Sequence, residues 1–385
     1  MKGRMKKWSV VLLAAAILTS SQTVSFASSP SFARTDDEWT GLKDNRLEYG
    51  EIPDLIHEYN ITVQNNQYKY NDFINDYGHT RTDVSNEYIS LAIDLESEKS
   101  GGDDAASKIS DMQLQIQADN LRKQADNNIE DSETYYLTYC QAEDNLSESA
   151  EAKFISYYRS KAELETAKEQ LEVLQSAFEQ TTLKRQAGTA TQAEVLSAEE
   201  SVKTQEEVIK KLELEIENTR QKLIVMLGWK GNDQPEIGDL PQISMDEINS
   251  IDQESDKKTA VSNNYTLKIN KKKLENAQEE ANKNDLQKTI AANEKQIGVS
   301  VTDAWQELRK TKLAYEQAEA EALTENRKTD IASQKYAAGV ITQHELQSQQ
   351  HEQSEKQRTT ETAKMDLLNA YEIYRWNIKG LAKAE

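Results

Sequence analysis

The side chains most capable of chemistry are few, and their spacing offers little to a reaction. The chain of 385 residues holds four histidines, His57, His79, His344 and His351, and one cysteine, Cys140. His344 and His351 stand seven residues apart on one helical face, followed by Glu345 and Glu352. A metal ion asks for more converging ligands than that. These histidines read as solvated polar residues, and no metal is expected. H-E-x-x-H, G-x-S-x-G, C-x-x-C and the phosphate-cradling glycine loop do not occur. The acidic run at 275–280 reads as a solvated helix face. Tyr157, Tyr158, Tyr315, Tyr336, Tyr371 and Tyr374 read as packing residues rather than a ligand box. The sequence therefore predicts neither an enzyme nor a cofactor.

Composition points instead to long helices. The formal net charge is −21, apolar residues make up 37 % and there are four prolines. Mean hydropathy is −0.82. A globular domain of this length should bury a larger core. Abundant Glu, Lys, Gln and Ala with few breakers is the composition of coiled coils, with disorder as the competing reading. So acidic a chain is a poor partner for nucleic acid or an anionic membrane surface.

The start of the chain gives an address. Lys2, Arg4, Lys6 and Lys7 precede an apolar run at 10–18, and Ser25-Phe26-Ala27 fits a small-x-small cleavage site, with Ser31-Phe32-Ala33 a second candidate. That order predicts a secretory signal over 1–27. Its removal takes away four positive charges and no acids, so the net charge falls from −21 to −25. No later stretch approaches the ~18 apolar residues of a membrane helix. Cys140 alone cannot make an internal disulfide, so an exported chain must be held by packing or assembly.

Periodicity decides between helix and disorder. Alternating steps of three and four from Val195 reach Ala198, Val202, Gln205, Ile209, Leu212, Ile216, Thr219, Leu223 and Met226, and eight of these ten positions are apolar. This is the 3.5-residue repeat of a coiled coil. Leu164, Ala167, Leu171, Leu174 and Phe178 keep the same rhythm upstream. Between the two runs stands KRQAGTATQAEVL, residues 184–196. Gly188, after Ala187, can take the left-handed conformation that ends a helix. Thr191 can cap the next helix, with Glu194 completing a capping box ahead of Val195. The stretch predicts a tight turn in a helical hairpin. A helix over 150–187 would reach roughly 55 Å, too long to be a globule alone, so it must pack on other hairpins.

The same design returns 151 residues later in KYAAGVITQHEL, residues 335–346. Ala338, Gly339, Thr342, Glu345 and Leu346 take the places of Ala187, Gly188, Thr191, Glu194 and Val195. Leu164, Ala167 and Leu171 map onto Tyr315, Ala318 and Ala322, so the seam is in register and the unit is duplicated. The copies differ: Gln349, Gln353, Lys356 and Thr360 fall on the second copy's seam. That helix either faces water on one side and another hairpin on the other, or frays. Elsewhere the sequence predicts a helix over 52–71 with Pro53 at its start and a loop over 99–104. A long helix over 105–187 is interrupted near 127–128, a linker spans 229–255, and the second helical copy begins near Lys257.

The paired turn, A-G-x-x-T-x-x-[DE]-[VL] with Glu in both copies here, resembles the TolC-type outer-membrane efflux protein family, over about 47–384. Residues 51–67, EIPDLIHEYNITVQNNQ, resemble that family's opening helix with its Asn-hydrophobic pair, and DLPQISMDEINS resembles the segment that opens the second half. The resemblance implies four long helices and four strands per protomer, and three protomers closing a β-barrel above an α-helical tunnel. It implies hairpin tips that meet a periplasmic adaptor, which links to an inner-membrane pump, and a passive duct without chemistry of its own. The implied adaptor-docking residues are Ala187, Gly188, Thr191, Glu194, Val195, Ala338, Gly339, Thr342, Glu345 and Leu346. The strands are where this sequence departs. Ile89, Leu91, Ile93 and Leu95 alternate as a strand would, but Val84, Tyr88, Leu91 and Leu95 also fit a helix. In the second half only IGVSV, 297–301, is strand-like. Transmembrane strands need ~10 alternating residues, so a complete barrel is not expected.

The expected fold is all-α: duplicated long antiparallel coiled-coil hairpins that form an α-helical tunnel on trimerisation. The expected organisation is a signal over 1–27, a first repeat over 28–240 and a second over 241–385. The expected role is an exported efflux or secretion duct in the outer membrane or cell envelope, working as a homotrimer with an adaptor and a pump. The alternative is a structural coiled-coil protein of the envelope, a rod-like dimer without a lumen.

Overall fold

The computed structural model describes residues 40–42 and 44–384. The segment expected to be a signal lies outside them. A two-residue strand, β1 (Arg46–Leu47), and a 3-10 turn (Tyr49–Glu51) lead into α1 (Ile52–Tyr59), with Pro53 in its first turn. Asn60 breaks the expected single helix, and α2 (Ile61–Tyr77) follows. A hairpin of α3 (Arg81–Ser97) and α4 (Ala105–Asn127) precedes the first long pair, α5 (Ser132–Gln186) and α6 (Gln192–Met226). The linker carries β2 (Glu236–Ile237) and the short α7 (Met245–Asn249). The second half is α8 (Gln253–Asn263), α9 (Tyr265–Asn276), α10 (Glu280–Ala337) and α11 (Gln343–Trp376), closed by a π turn at Asn377–Leu381. Its first helix begins at Gln253, one turn before the expected Lys257.

Both stretches that could have been strands are helical. Thr80 and Asp83 form a capping box that starts α3, which buries Val84, Ala92 and Leu95 at helical spacing. Residues 297–301 lie inside α10 and bury Ile297 and Val301 four apart. Among the described residues the only strands are β1 and β2, a parallel pair in register Arg46↔Glu236 and Leu47↔Ile237. The Tyr158 hydroxyl donates to the carbonyl of Gly238 at 2.6 Å and ties that pair to α5.

The two long pairs bury the seam that their periodicity dictates. Every position from Val195 to Met226 on the three-four rhythm is buried or half-buried, as are Leu164, Ala167, Leu171, Leu174 and Phe178 opposite. In the second pair Leu308, Ala318, Ala322 and Ala332 fill the α10 side. The polar seam of α11 is helical throughout and is held by hydrogen bonds rather than apolar contact. Gln349 donates to Glu325, Gln353 to Asn326 at 2.8 Å and Lys356 to Glu321 at 3.0 Å. The Thr360 hydroxyl donates to the Ala318 carbonyl at 3.1 Å. The helix is therefore not frayed, and the contact that fits the reading of water on one side and another hairpin on the other is the pair of Arg358 with Glu169 of α5. Only its last turns carry a full apolar core, with Leu367, Leu368, Ala370 and Tyr374 buried.

Each half is shut by the same residue type. Asn60 caps α2, accepting from Thr62 N at 2.9 Å, while its amide donates to the Met226 carbonyl at the end of α6 at 2.8 Å. Asn264 caps α9, accepting from Leu267 N at 3.0 Å, and donates to the Gly380 and Ala382 carbonyls at 3.2 and 2.7 Å. A helix end leaves carbonyls without partners, and both asparagines satisfy some of them from inside the core. The halves then meet along α5. Trp376 Nε1 donates to Glu151 at 2.7 Å, Lys379 pairs with Asp144 at 2.9 Å, and Arg159 and Arg358 pair with Asp366 and Glu169.

Asn264→Asp preserves the cap acceptor but turns a carboxylate oxygen toward two carbonyls. Losing buried hydrogen bonds in this way costs roughly 2–3 kcal/mol, which urea denaturation should report as a lower midpoint. An unchanged midpoint would show that the amide does not close the second half.

Candidate functional site at the hairpin tips

The residues singled out by the repeated string come together as two turns of one construction. In the first, Ala187 N donates to the Leu183 carbonyl at 3.0 Å, Gly188 N to Arg185 at 2.9 Å and Thr189 N to Lys184 at 2.8 Å. In the second, Ala338, Gly339 and Val340 donate to Gln334, Tyr336 and Lys335 at 3.0, 2.9 and 2.8 Å. The last two bonds of each set are the Schellman pattern that closes a helix C-terminus. It requires a left-handed residue, and Gly188 and Gly339 have φ of 77° and 71°. A Cβ on either would meet no atom within 4 Å, so backbone conformation alone demands glycine there.

The next helix starts three residues later, again alike in both copies. Glu194 N donates to the Thr191 hydroxyl at 3.3 Å, and Thr191 N donates to the Glu194 carboxylate at 2.6 Å. The corresponding bonds between Glu345 and Thr342 are 3.2 and 2.7 Å. These bonds to Thr191 and Thr342 hold both carboxyls below the usual glutamate range. Val195 is buried and Leu346 half-buried at the first seam position of each returning helix.

The spacing argument missed the apolar side chains around the turns. Val340 is 70 % and Leu183 63 % exposed, and Leu196 and Tyr336 are exposed beside them. Tyr336 therefore does not pack within this chain as the sequence suggested, whereas Tyr374 is fully buried and Tyr157, Tyr158, Tyr315 and Tyr371 are half-buried. The signal was available for three of them: Leu183, Leu196 and Val340 lie within eight residues of a tip glycine and off the coiled-coil seam, whereas Tyr336 continues the rhythm of Ala318, Ala322 and Ala332 and is exposed because the seam ends at the tip. His344 and His351 are exposed on α11, and among the described residues no group of histidine, cysteine and carboxylate side chains could hold a metal ion.

A strongly perturbed carboxyl lies far from the tips in sequence, where the halves meet. Glu151 is buried against Trp376, and burial pushes it up to about 7, with the nearby Glu372 adding to the effect. Burial also raises Glu372, against the pull of Arg375 at 2.6 Å. Both carboxyls are locked in helix packing at the junction of the two halves.

No protein-family model matches the chain, and no curated protein does. Solved structures match it along almost its whole length. A membrane protein from Pseudomonas aeruginosa aligns with a TM-score of 0.55 at 11 % identity, over 95 % of this chain and 97 % of that one. The CmeC outer membrane channel of Campylobacter jejuni aligns at 0.52 and 10 % identity, over 96 % and 94 %. The outer membrane protein VceC of Vibrio cholerae aligns at 0.52 and 9 % identity, over 87 % and 97 %. The chain has the TolC-type fold. At these identities the likeness is one of architecture, and it fits the duplicated hairpins seen here. This TolC-type chain departs from the four strands that the sequence resemblance implied, with helix in α3 and α10 instead.

Gly188→Ala and Gly339→Ala should each cost about 1–2 kcal/mol, the penalty of a left-handed conformation for a residue with a Cβ. Thr191→Ala should cost about 1 kcal/mol through the lost cap. Urea unfolding checks both, and unchanged midpoints would mean the tips do not fix the hairpins. A raised carboxyl pKa favours the folded state fully below the ordinary carboxylate range, and that contribution is lost as the pH rises through about 7. Glu151→Gln retains the acceptor for Trp376 and removes the titration. Its Tm relative to the parent chain should therefore rise between pH 5 and pH 8, and a constant difference would rule the effect out.

Proposed function

We propose that this chain is an exported wall segment of a passive duct for efflux or secretion in the cell envelope, built from several copies. Its repeats span 28–240 and 241–385, behind a signal over 1–27. The observation that carries the reading is the pair of identical turns, each ending a hairpin of more than thirty residues per arm in exposed apolar side chains. A helix pair that has already buried its seam has no internal use for Leu214, Val225, Leu313 and Leu323, which are exposed on its flanks. Large exposed apolar surface marks contact with other chains. Copies side by side, three in the TolC-type arrangement, would cover these flanks and enclose a lumen. The tips, from Ala187 to Val195 and from Ala338 to Leu346, would then dock an adaptor coupled to an inner-membrane pump. Energy would come from that pump, and the chain itself would do no catalysis.

Sedimentation of the mature chain tests the assembly: particles larger than a dimer are expected, and a stable rod-like dimer would sink the duct. Leu183→Asp combined with Val340→Asp tests docking. Both sites are exposed, so helix content should hold, while retention of a fluorescent efflux substrate in cells should rise to that of a deletion strain. Normal export by this variant would count against docking at the tips.

A further inference from the structure

The end of α11 is joined to α5 by a buried polar contact. Trp376 donates from Nε1 to the Glu151 carboxyl at 2.7 Å. Glu151 and Glu372 are both buried, at 5 % and 6 % exposure. Tyr49 is buried beside the two, its ring edge-on to Phe154 at 5.3 Å. The cations of this region are already engaged. Arg375 pairs with Glu372 at 2.6 Å, and Lys379 pairs with Asp144 at 2.9 Å. Asp144 also accepts from the Tyr265 hydroxyl of α9 at 2.7 Å. Glu151 accepts from a neutral indole instead. The other charged groups nearby do not redress the balance. Glu148 on α5 is half-buried and acidic, and in the turn that holds Tyr49 the Glu51 carboxylate accepts from Glu48 N at 3.2 Å. From α1, which also packs on α5, come Asp54, His57 and Glu58, and His57 pairs with Glu143 at 2.6 Å. A buried carboxylate without a cation is costly, so the shut contact holds Glu151 as the neutral acid.

We propose that this contact is a proton-operated joint between the two halves: protonated Glu151 holds the end of α11 on α5, and ionised Glu151 releases it. On losing its proton, the carboxylate stands beside Glu372 in a site closed to water. It regains a partner by drawing Arg375 from Glu372, by drawing Lys379 from Asp144, or by admitting water. Each of these undoes a contact that seats α11 and the turn after it. Release comes as the pH rises through about 7, because burial, with Glu372 adding to it, raises the carboxyl to that range, whereas a solvated glutamate ionises well below it. Nearer the tips the hairpins are tied by Arg159 with Asp366 and Arg358 with Glu169. These pairs are partly solvated, and such pairs contribute little alone. The joint therefore controls how firmly the second hairpin lies on the first. From Glu151 to Gln186, α5 is an arm of roughly 50 Å, so a turn of a few degrees at the joint moves one tip several ångströms past the other. The joint lies within one chain, and the inference stands apart from the duct reading. Within a duct it would tie the spread of the tips to the pH of the envelope.

The test reads the spacing of the tips. The mature full-length chain with Cys140→Ser carries nitroxides on Leu183→Cys and Val340→Cys, both exposed sites. Electron–electron double resonance then gives the tip-to-tip distance, with unlabelled chain in excess so that only distances within one copy count. The distance should lengthen or spread by several ångströms between pH 5 and pH 8, with its midpoint near 7 and helix content unchanged. Glu151→Gln keeps the acceptor for Trp376 and should hold the pH 5 distribution at both values. Glu372→Gln removes the neighbouring charge and frees Arg375, so the midpoint should move down by roughly one unit. A parent distribution that is the same at both pH values overturns the proposal. So does a shift that survives in Glu151→Gln, which places the titration elsewhere. Should Glu151→Gln lose helix content, Glu372→Gln decides, and an unmoved midpoint overturns the joint. Chains that sediment as oligomers with a pH-independent distance would remove the joint and leave the duct standing.

Discussion

The register between antiparallel helices is the constraint on which this structure depends. α5 and α10 run for 55 and 58 residues, about 80 Å or more. The seam each shares with its returning helix, 35 residues in α6 and 34 in α11, is buried only if that helix starts at the right residue, because a slip of one position turns the apolar row toward water. The tip sets that start. A left-handed glycine ends one helix, two residues cross, and a threonine–glutamate box begins the next. Few atoms are involved, yet every contact down the seam inherits their geometry.

The two copies use this register differently. The first fills its seam with Val, Ile and Leu, so the hydrophobic effect holds it. The second replaces much of that with Gln349, Gln353, Lys356 and Thr360, each hydrogen-bonded across to α10. Half-buried polar pairs contribute less than apolar burial but specify geometry more narrowly, since each donor must meet its acceptor. The same economy appears at Asn60 and Asn264. Each is a single amide that caps one helix while satisfying the carbonyl end of another, and so ties the start of a half to its finish.

Asymmetry enters between the short and the long helices of each half. A duplicated chain could repeat every feature, but only the first half carries the α3–α4 hairpin, and the second crosses the same gap in three residues. The apolar side chains left outside cluster at features that the internal seams do not explain: the tips, the flanks of the long helices and the outside of this hairpin.

Much of the architecture was legible without coordinates. Positions 151 apart, a 3.5-residue rhythm and two Thr–Glu boxes are local chemistry, and local chemistry fixes helix starts, helix ends and the seam between consecutive helices. Gly188, Thr191, Gly339 and Thr342 therefore lie where the spacing put them. The sequence could not choose between helix and strand for 89–95, because Ile89, Leu91, Ile93 and Leu95 satisfy a period of two while Val84, Tyr88, Leu91 and Leu95 satisfy helical spacing. Packing of Ala92 and Leu95 on Ala118 made that choice. Nor could it reveal that Tyr336, which keeps the seam rhythm, is exposed while Glu151 is buried. Exposure depends on which helix lies alongside, and α5, α10 and α11 are brought together by contacts hundreds of residues apart in the chain, such as Trp376 with Glu151. Spacing along one helix determines its faces; only the assembled fold decides what each face meets.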